Sequence, residues 1–499
     1  MAGSHSLLFI CVSLFLCYTF SLQTLVIASS RRLSSKPGYQ TFYIDEDLRN
    51  KMRSELLAES RVSSSFGVNS TNSWSVQVLH RDELSGSTNL KTESITENDK
   101  FAELLSQRLT RDSARVKAIE EMLEVAKAGA NTADWEPVKK EESLSQEEIS
   151  SPIVSGLSQG SGEYFTRIGV GSPPSDAYFV MDTGSDLSWT QCQPCASCYK
   201  QSDPLFNPAG SSTYKSISCS DSLCSQLLIR GCRANQCLYQ VSYGDGSFTV
   251  GDFAVETLTF SGSQVERVAL GCGHNNEGLF IGASGLLGLG AGQLSVPTQL
   301  RLPFSYCLAD RFGTGSSPLI FGGGAIPRGS VFSPLLRNPR LGTFYYVGLE
   351  GISVGGTRLS ISPAEFSLQS TGNGGVILDS GTSITRLVAS AYATLRDSFN
   401  ARATNLPTAG SFSLFDTCYA LGGMQSVDVP TVDLHLTGGV TLQLPAANYL
   451  IPVDKLGTYC FGFAGTNSDF SIIGNMQQQG YRISFDRAAG RVGFAGNQC

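Results

Sequence analysis

The feature that most constrains this chain is a short pattern that occurs twice: an apolar run that ends in Asp, a hydroxyl residue and Gly. The first copy spans residues 179–185 and the second spans residues 375–382. An apolar run stopped by Gly is typical of a buried strand that turns sharply, so each copy predicts an Asp, Asp182 or Asp379, at a strand end. One Asp-Thr-Gly is weak evidence because ordinary turns favour the same residues, but two copies in the same order are much stronger.

Each copy is followed, about a hundred residues later, by two apolar residues and a Gly. These elements are Leu286-Leu287-Gly288 and Ile472-Ile473-Gly474. The spacing is too long for a solenoid repeat but fits a duplicated domain. We therefore predict two β-rich lobes that each present one Asp to a shared interface, in preference to two unrelated turns.

Two carboxylates held close together cannot both ionise cheaply, so they share a proton and titrate as a unit. One can then act as a base and the other as an acid on a water molecule between them. Small neighbours would let the backbone and a substrate approach closely and would offer hydroxyls to fix the carboxylates. These supporting residues are Thr183, Gly184, Ser185, Ser380, Gly381 and Thr382.

From about residue 152 the chain is rich in Gly, with short β-prone runs between turn residues. Many short strands with frequent turn signals predict an all-β fold, with only short helices such as the one over residues 389–403. An Asp-Gly turn between β-prone flanks, over residues 243–247, predicts a hairpin with Tyr243 exposed near its tip.

The chain resembles the pepsin-like aspartic proteases, and among them the plant nepenthesin-like group, which includes the guard-cell aspartic protease. The resemblance covers about residues 160–499 and rests on both Asp motifs, on Tyr243-Gly244-Asp245-Gly246-Ser247 and on the cysteine pattern. It implies a bilobal fold and an acid endopeptidase that cleaves protein substrates as a monomer, without cofactor or metal. It also implies that Tyr243 and Gly244 belong to a flap over the cleft, supported by Trp189.

The segment before the lobes differs in composition. Residues 29–150 hold 17 Lys or Arg, 21 Asp or Glu and no Cys, a charge density that cannot build a core of its own. A strand over residues 75–79 and an amphipathic helix over residues 101–127 resemble the inhibitory prosegments of the family; a solvated linker helix is the alternative. Asn69 is the one glycosylation sequon.

We accordingly expect a signal peptide over residues 1–28, a prosegment over 29–150, an N-terminal lobe over 151–345 and a C-terminal lobe over 346–499. The apolar run at the start is also long enough for an uncleaved signal anchor. A cleaved signal predicts the secretory pathway (endoplasmic reticulum, vacuole or extracellular space) and no membrane insertion afterwards.

Twelve of the 14 cysteines follow the signal, all between Cys192 and Cys499, which predicts disulfides formed in an oxidising compartment. Zinc at Cys192, Cys195 and Cys198 is the alternative, but no His has ligand spacing to them. The resemblance implies six bonds: Cys192–Cys195, Cys198–Cys272, Cys219–Cys237, Cys224–Cys232, Cys307–Cys499 and Cys418–Cys460.

A formal charge of −7 offers no basic surface for nucleic acid. His274 lies among turn residues without a nucleophile motif, which disfavours a Ser or Cys protease and predicts a structural role for it and for His435. The alternative from another class is a catalytically inactive pepsin-like protein that binds and inhibits a glycosidase. Relatives of that kind usually have a damaged catalytic motif, whereas both motifs are intact here.

Overall fold

A computed structural model describes residues 25–28, 33–44, 73–80, 97–127, 164–243, 247–278, 280, 282–308, 317–496 and 498. The predicted glycosylation site Asn69 lies outside these residues, as do Gly244 and Cys499. The signal-peptide prediction also falls mostly outside them, although its last four residues form a described strand. No helix in the described part of the chain is both long and apolar enough to cross a membrane.

The elements before residue 164 comprise three described strands and one helix. They are β1 (Leu25–Ala28), β2 (Tyr39–Tyr43), β3 (Ser73–His80) and α1 (Glu97–Lys127). The strand expected over residues 75–79 and the helix expected over 101–127 are both confirmed, within slightly longer elements.

The first lobe is built almost wholly from strands. Its elements are β4 (Tyr164–Val170), β5 (Ser175–Asp182), β6 (Trp189–Gln191), β7 (Lys215–Ser216), β8 (Arg230–Arg233), β9 (Gln236–Ser242), β10 (Phe248–Phe260), β11 (Ser263–Glu277), β12 (Gly285–Gly288), α2 (Val296–Leu300), β13 (Phe304–Cys307), β14 (Ser317–Gly322) and β15 (Val331–Leu336). Its core packs around Trp189, which is fully buried, and Phe280, whose ring meets the indole edge-on at 5.0 Å.

The second lobe repeats this plan. Its elements are β16 (Tyr346–Val347), β17 (Leu349–Val354), β18 (Thr357–Arg358), β19 (Val376–Leu378), β20 (Thr385–Val388), α3 (Ala389–Arg402), β21 (Thr408–Ala409), β22 (Cys418–Ala420), β23 (Ser426–Pro430), β24 (Val432–Leu436), β25 (Val440–Leu444), β26 (Leu450–Pro452), β27 (Thr458–Phe461), β28 (Phe463–Thr466), β29 (Ser471–Ile473), α4 (Asn475–Gln478), β30 (Tyr481–Asp486) and β31 (Arg491–Gly496). The helix expected over 389–403 is confirmed as α3. The all-β, two-lobed fold predicted from the sequence is confirmed.

The duplicated pattern places equivalent strands side by side in both lobes. Strand β12 runs parallel to β5, with Gly288 opposite Asp182, and β29 runs parallel to β19, with Ile473 opposite Leu378. Each apolar-apolar-Gly element is therefore the neighbour of an Asp-bearing strand. This pairing holds the two strand ends firmly, because the strands are hydrogen-bonded and their residues are buried on both faces.

One sheet includes a strand from the segment that precedes residue 164. Strand β3 pairs antiparallel with β14 on one side and with β4 on the other. Val76 and Val78 face inward from it and are buried, while Ser75 and Gln77 point outward and are exposed. This alternation is the period-2 pattern of a strand that packs on a core. The segment before residue 164 thus contributes an inner strand to this sheet.

A second strand of the segment before residue 164 attaches to the C-terminal lobe. Strand β2 pairs antiparallel with β23, and Phe42 is buried against the ring of Tyr459. The Gln40 amide, also buried, donates to the Leu444 carbonyl at 3.0 Å and to the Tyr449 hydroxyl at 2.6 Å. Sequence periodicity did not reveal this strand, because its five residues mix polar and aromatic types without a clear alternation.

The cysteine pairing differs from the one that the resemblance implied. The structure joins Cys192 to Cys272, Cys195 to Cys198, Cys219 to Cys232 and Cys224 to Cys237, so four implied pairs are wrong. The bond between Cys418 and Cys460 is confirmed. Cys307 is disulfide-bonded, and its pairing with Cys499 stays a prediction.

Depth in the fold explains the corrected pairs. Cys192 and Cys272 are both fully buried where β6 runs parallel to β11, so they meet at a Cα separation of 5.4 Å. Cys224 and Cys237 are buried in the core of the first lobe, whereas Cys232 is exposed and is bonded to Cys219. Spacing along the chain carries no information about this depth.

Candidate active site

The two predicted acids meet at the interface of the lobes. Asp182 is the last residue of β5 and Asp379 directly follows β19, and their side chains are almost completely buried. Each carboxylate accepts the backbone N–H of the Gly two residues later, at 2.8 Å from Gly184 and at 3.1 Å from Gly381. The sharp turn after each strand thus orients its own acid.

Hydroxyl residues cross-link the two motifs. The Thr183 hydroxyl accepts the Ser380 N–H at 2.8 Å, and the Ser380 hydroxyl accepts the Thr183 N–H at 3.2 Å. Thr183 also donates to Asp379 at 3.2 Å, while Thr382 donates to the other Asp379 oxygen at 2.6 Å. These bonds fix the lobes, and therefore the acids, relative to each other.

Ser185 does not take the role expected of it. Its hydroxyl is buried and has no hydrogen-bond partner among the described residues, so it fixes neither carboxylate. Thr183, and not Ser185, makes the hydrogen bonds across the interface.

Two residues that the sequence did not reveal hold the backbone of the second motif. The Gln478 amide donates to the Asp379 carbonyl at 3.0 Å, and the Asn475 amide donates to the Ser380 carbonyl at 2.9 Å.

A guanidinium from the helix that precedes the lobes occupies the space between the acids. Arg115, on α1, donates from Nη2 to Asp182 Oδ1 at 2.5 Å and to Asp379 Oδ1 at 3.0 Å, and from Nε to Asp379 Oδ2 at 2.9 Å. Only 15% of the Arg115 side chain is exposed. Both carboxylates therefore contact one nitrogen, which defines the centre of the pair.

Two glycines make this approach possible. A Cβ at Gly184 would clash with Nη2 of Arg115, and a Cβ at Gly381 would clash with its guanidinium carbon. Both motifs carry Gly after the Asp and the hydroxyl residue because a side chain at that position would block the approach of another group to the acids, as the sequence predicted.

The charge of Arg115 changes the titration of the site. Burial raises the pKa of Asp379, but the positive charge and hydrogen bonds of Arg115, with those of Thr382 and the Gly381 N–H, outweigh burial and hold that pKa below its usual value. Burial likewise lowers the pKa of Arg115, and the two carboxylates more than reverse this. The ionised Asp379 and the cation therefore stabilise each other.

Hydrophobic contacts hold α1 on both sides of Arg115. On one side, Leu105 and Leu109 pack with Ile384, Phe415 and other residues of the second lobe. On the other side, three apolar residues of the helix pack against a group of aromatic and Ile side chains: Val116, Ile119 and Leu123 with Phe344, Tyr346, Ile377, Phe470 and Ile472. The apolar residues of α1 thus form the face that packs against the lobes, and Arg115 lies on the same side of the helix.

The segment predicted to be a flap forms a hairpin. Strands β9 and β10 pair antiparallel with Ser242 opposite Phe248, and the Tyr243 N–H donates to the Ser247 carbonyl at 2.8 Å. Trp189 donates its indole N–H to the Tyr243 hydroxyl at 2.8 Å, as expected of a support. Tyr243 is half-buried and meets Phe280 edge-on at 5.8 Å, so it is less exposed than the turn pattern predicted.

The two histidines of the lobes lie in hydrogen-bonded positions away from the acids. His274 contacts Asp252 at 3.1 Å and the Pro194 carbonyl at 2.8 Å, and His435 lies between Ser353 and Thr441. Burial lowers the pKa of His274, but the bonds to Asp252 and Pro194 raise it above its usual value. These contacts are those of structural residues.

The fold and the paired acids define the pepsin-like class of protein. The family models named "Xylanase inhibitor N-terminal" and "Xylanase inhibitor C-terminal" match residues 164–323 and 344–496. The chain belongs to the plant branch of the pepsin-like aspartic protease family.

Its relatives include named proteases. It is 50% identical to Aspartyl protease family protein 2 of Arabidopsis thaliana over 93% of this chain and 95% of that one. It is 47% identical to Protein ASPARTIC PROTEASE IN GUARD CELL 2 of the same plant, over 87% and 89%. Aspartic proteinase nepenthesin-1 of Nepenthes gracilis is 38% identical, over 78% and 92%.

Solved structures share the fold at low identity. The crystal structure of edgp superposes with a TM-score of 0.57 at 22% identity, covering 69% of this chain and 93% of that chain. Basic 7S globulin from soybean gives a TM-score of 0.54 at 20% identity, covering 68% and 94%. These similarities support the bilobal fold.

Proposed function

We propose that this protein is an aspartic endopeptidase that cleaves protein substrates in acid. The observation that carries the proposal is the meeting of Asp182 and Asp379 at one point, each at the end of a buried strand and each oriented by its own Gly N–H. A water molecule bound between them would lose a proton to the ionised acid, while the protonated acid polarises the scissile carbonyl.

The rival proposal is a binding protein that inhibits a glycosidase. It is supported by the names of the two matching family models. The intact pair favours the protease, because a protein that only binds has no need of two buried carboxylates whose charges oppose each other. Residues 1–28 as a signal and a secretory location are further parts of the proposal.

We also propose that the precursor is inactive until residues up to about 150 are removed. In the precursor, Arg115 fills the position where the water would bind, and α1 covers the cleft on both sides of it. A linker helix exposed to solvent would not bury five apolar residues against the C-terminal lobe.

Hydrolysis of an unfolded protein at acid pH tests the enzymatic proposal. The mature wild type should cleave it and be blocked by pepstatin, whereas D182N and D379N should be inactive but folded. The variant D397N is a matched control, because Asp397 is 66% exposed and pairs only with Arg396 among the described residues. Activity in D182N or D379N would overturn the shared pair, and an inactive wild type that inhibits a glycosidase would establish the rival.

A further inference from the structure

A second charged residue of the prosegment, a carboxylate, has a binding site of its own in the cleft. Asp112 lies three residues before Arg115 on α1 and is almost completely buried. Its Oδ2 accepts from Arg386 Nη2 at 2.6 Å, and its Oδ1 accepts the N–H of Ser383 and, at 3.3 Å, that of Ile384. One guanidinium and two backbone donors thus surround one carboxylate, a set of charge-assisted bonds that suits an anion.

These donors belong to the catalytic lobe and not to the prosegment. Arg386 is in β20, where it pairs with Ala464 of β28 and with Ile472 of β29. Next to it, the Thr385 hydroxyl donates to Gln477 at 2.5 Å and accepts the Gly474 N–H at 3.0 Å. The sheet therefore keeps the donors in place when α1 leaves.

Removal of the prosegment would leave this group of donors without its acceptor. The Arg386 side chain is 6% exposed in the precursor, and its Nε has no hydrogen-bond partner among the described residues even there. Its further bond, at 3.2 Å, goes to Ser113, which leaves with the same helix. A cation that loses its partner in a partly desolvated place binds a new carboxylate favourably.

The distance to the acids places the site within reach of a bound substrate. Asp112 and Arg115 are about 4.5 Å apart along the helix axis, at about 1.5 Å per residue. An extended peptide advances about 3.3 Å per residue. Ser383 and Ile384 follow the second Asp motif directly, so a carboxylate bound there would belong to a substrate residue close to the bond that Asp182 and Asp379 would cleave.

We infer that Arg386, with the N–H groups of Ser383 and Ile384, forms a specificity site for the side-chain carboxylate of a substrate Glu or Asp close to the scissile bond. This inference rests on the proposed protease function. Asp112 occupies the site in the precursor, so the prosegment mimics an acidic substrate residue there while Arg115 blocks the catalytic pair.

Binding of uncleavable peptides tests the inference independently of catalysis. Peptides with a reduced amide at the central bond would carry Glu or Gln at each of the two nearest positions on either side. The mature enzyme would be titrated with them at about pH 5, above the ordinary Glu pKa of about 4.3. We expect Glu to bind about tenfold more tightly than Gln at one position, since a hydrogen bond to a charged group contributes on that scale.

Variants assign the preference to Arg386. Replacing Arg386 alone would remove the charged partner of the buried Asp112 carboxylate in the precursor, so the variant is made as D112N/R386Q, which keeps a neutral pair of similar shape. After maturation it should bind the Glu and Gln peptides equally. The variant R396Q, which removes an arginine that pairs with Asp397 and Asp416, should keep the preference.

The possible outcomes distinguish the specificity site from the protease function. Equal binding of Glu and Gln at all four positions by the wild type, or a preference that survives in D112N/R386Q, overturns the inference. A wild type that cleaves neutral peptides yet shows no preference would retain the protease function and lose only this site. A preference that depends on Arg386 in a protein that cleaves nothing would retain the site and refute the protease. Failure of D112N/R386Q to fold leaves the wild-type comparison, which is sufficient to overturn the inference.

Discussion

Arg115 Nε donates to Asp379 Oδ2 at 2.9 Å, although 264 residues separate the two along the chain. The guanidinium presents a planar set of donors that a point charge such as Lys lacks, so it can bond both carboxylates at once. A positive charge at this position favours the ionised form of Asp379. The closed state of the cleft is thereby tied to the protonation of Asp379.

The first prediction concerns Arg115 in the precursor. R115Q should make the precursor cleave a short peptide substrate at a substantial fraction of the mature rate, because removal of one partner of a buried ion pair costs about 3–5 kcal/mol and weakens helix docking by at least about a hundredfold. R115K should fall between R115Q and wild type. Initial rates, with gels to show that the precursor is still uncut, provide the measurement.

K117Q is the matched control for this prediction. Lys117 is on the same helix, is 59% exposed and pairs with Glu121 at 3.7 Å, an exposed contact that contributes little. Its precursor should remain as inactive as wild type. If R115Q were also inactive, the apolar contacts of α1 would be sufficient to block the cleft.

The second prediction is a loss of helix docking in acid. The pKa of Asp379 in the closed precursor lies below its ordinary value of 3.8, so its interaction with Arg115 stabilises docking above that value and is lost as the pH falls through the lowered pKa. The protection of α1 amides from hydrogen exchange, relative to the intrinsic exchange rate at each pH, should therefore be high from neutral pH down to about 5. It should fall steeply below about pH 4. In R115Q the protection should be weaker at neutral pH and the acid step smaller. Equal pH profiles for R115Q and wild type would show that other carboxylates control release.

The sequence predicted the acids and α1 but not the contact between them. Apolar runs that end in Asp and Gly predict the positions of the acids. This signal is local, so it can be recognised without knowing which strand is the partner. Apolar residues at helical spacing predicted the face of α1, namely Leu104, Leu105, Val116, Ile119 and Leu123. The last four are buried, and the side chain of Leu104 lies outside what the structure describes. Arg115 carries no local signal, because its role depends on where the helix lies along the cleft, which is set by contacts with residues more than 200 positions away.

The pair of Asp112 and Arg386 was missed for the same reason. Each residue has an ordinary local context, one among the charges of a polar helix and one in a four-residue strand. Four of the six implied cysteine pairs were wrong because a resemblance transfers spacing, whereas pairing follows depth and strand neighbours. What the sequence predicts best here is therefore what a single element determines by itself.

The third prediction concerns Tyr243. If the hairpin is the predicted flap, its ring would close over bound substrate and exclude water, so Y243A should lower kcat/KM for the mature enzyme at acid pH by about tenfold or more. Y243F, which loses only the hydroxyl that accepts from buried Trp189, should lower the unfolding free energy by about 1–3 kcal/mol and reduce turnover less. Kinetics and melting temperatures of both variants separate the two effects. Unchanged turnover in Y243A would mean that the hairpin is only structural.

The last prediction compares two disulfides that close loops of equal length. Cys219–Cys232 and Cys224–Cys237 each join residues 13 apart, so the chain-entropy model assigns them the same stabilisation, about 3 kcal/mol. They differ in depth, because Cys224 and Cys237 are buried with 1% and 0% exposure while Cys232 is exposed. Replacing the buried pair by Ala also removes packed sulfur from the core, which should cost about 1–2 kcal/mol more. Denaturant unfolding of C219A/C232A and C224A/C237A in parallel measures the difference. An equal loss in both variants would show that loop closure alone accounts for the stabilisation, and a larger loss in C219A/C232A would contradict the pairing by depth.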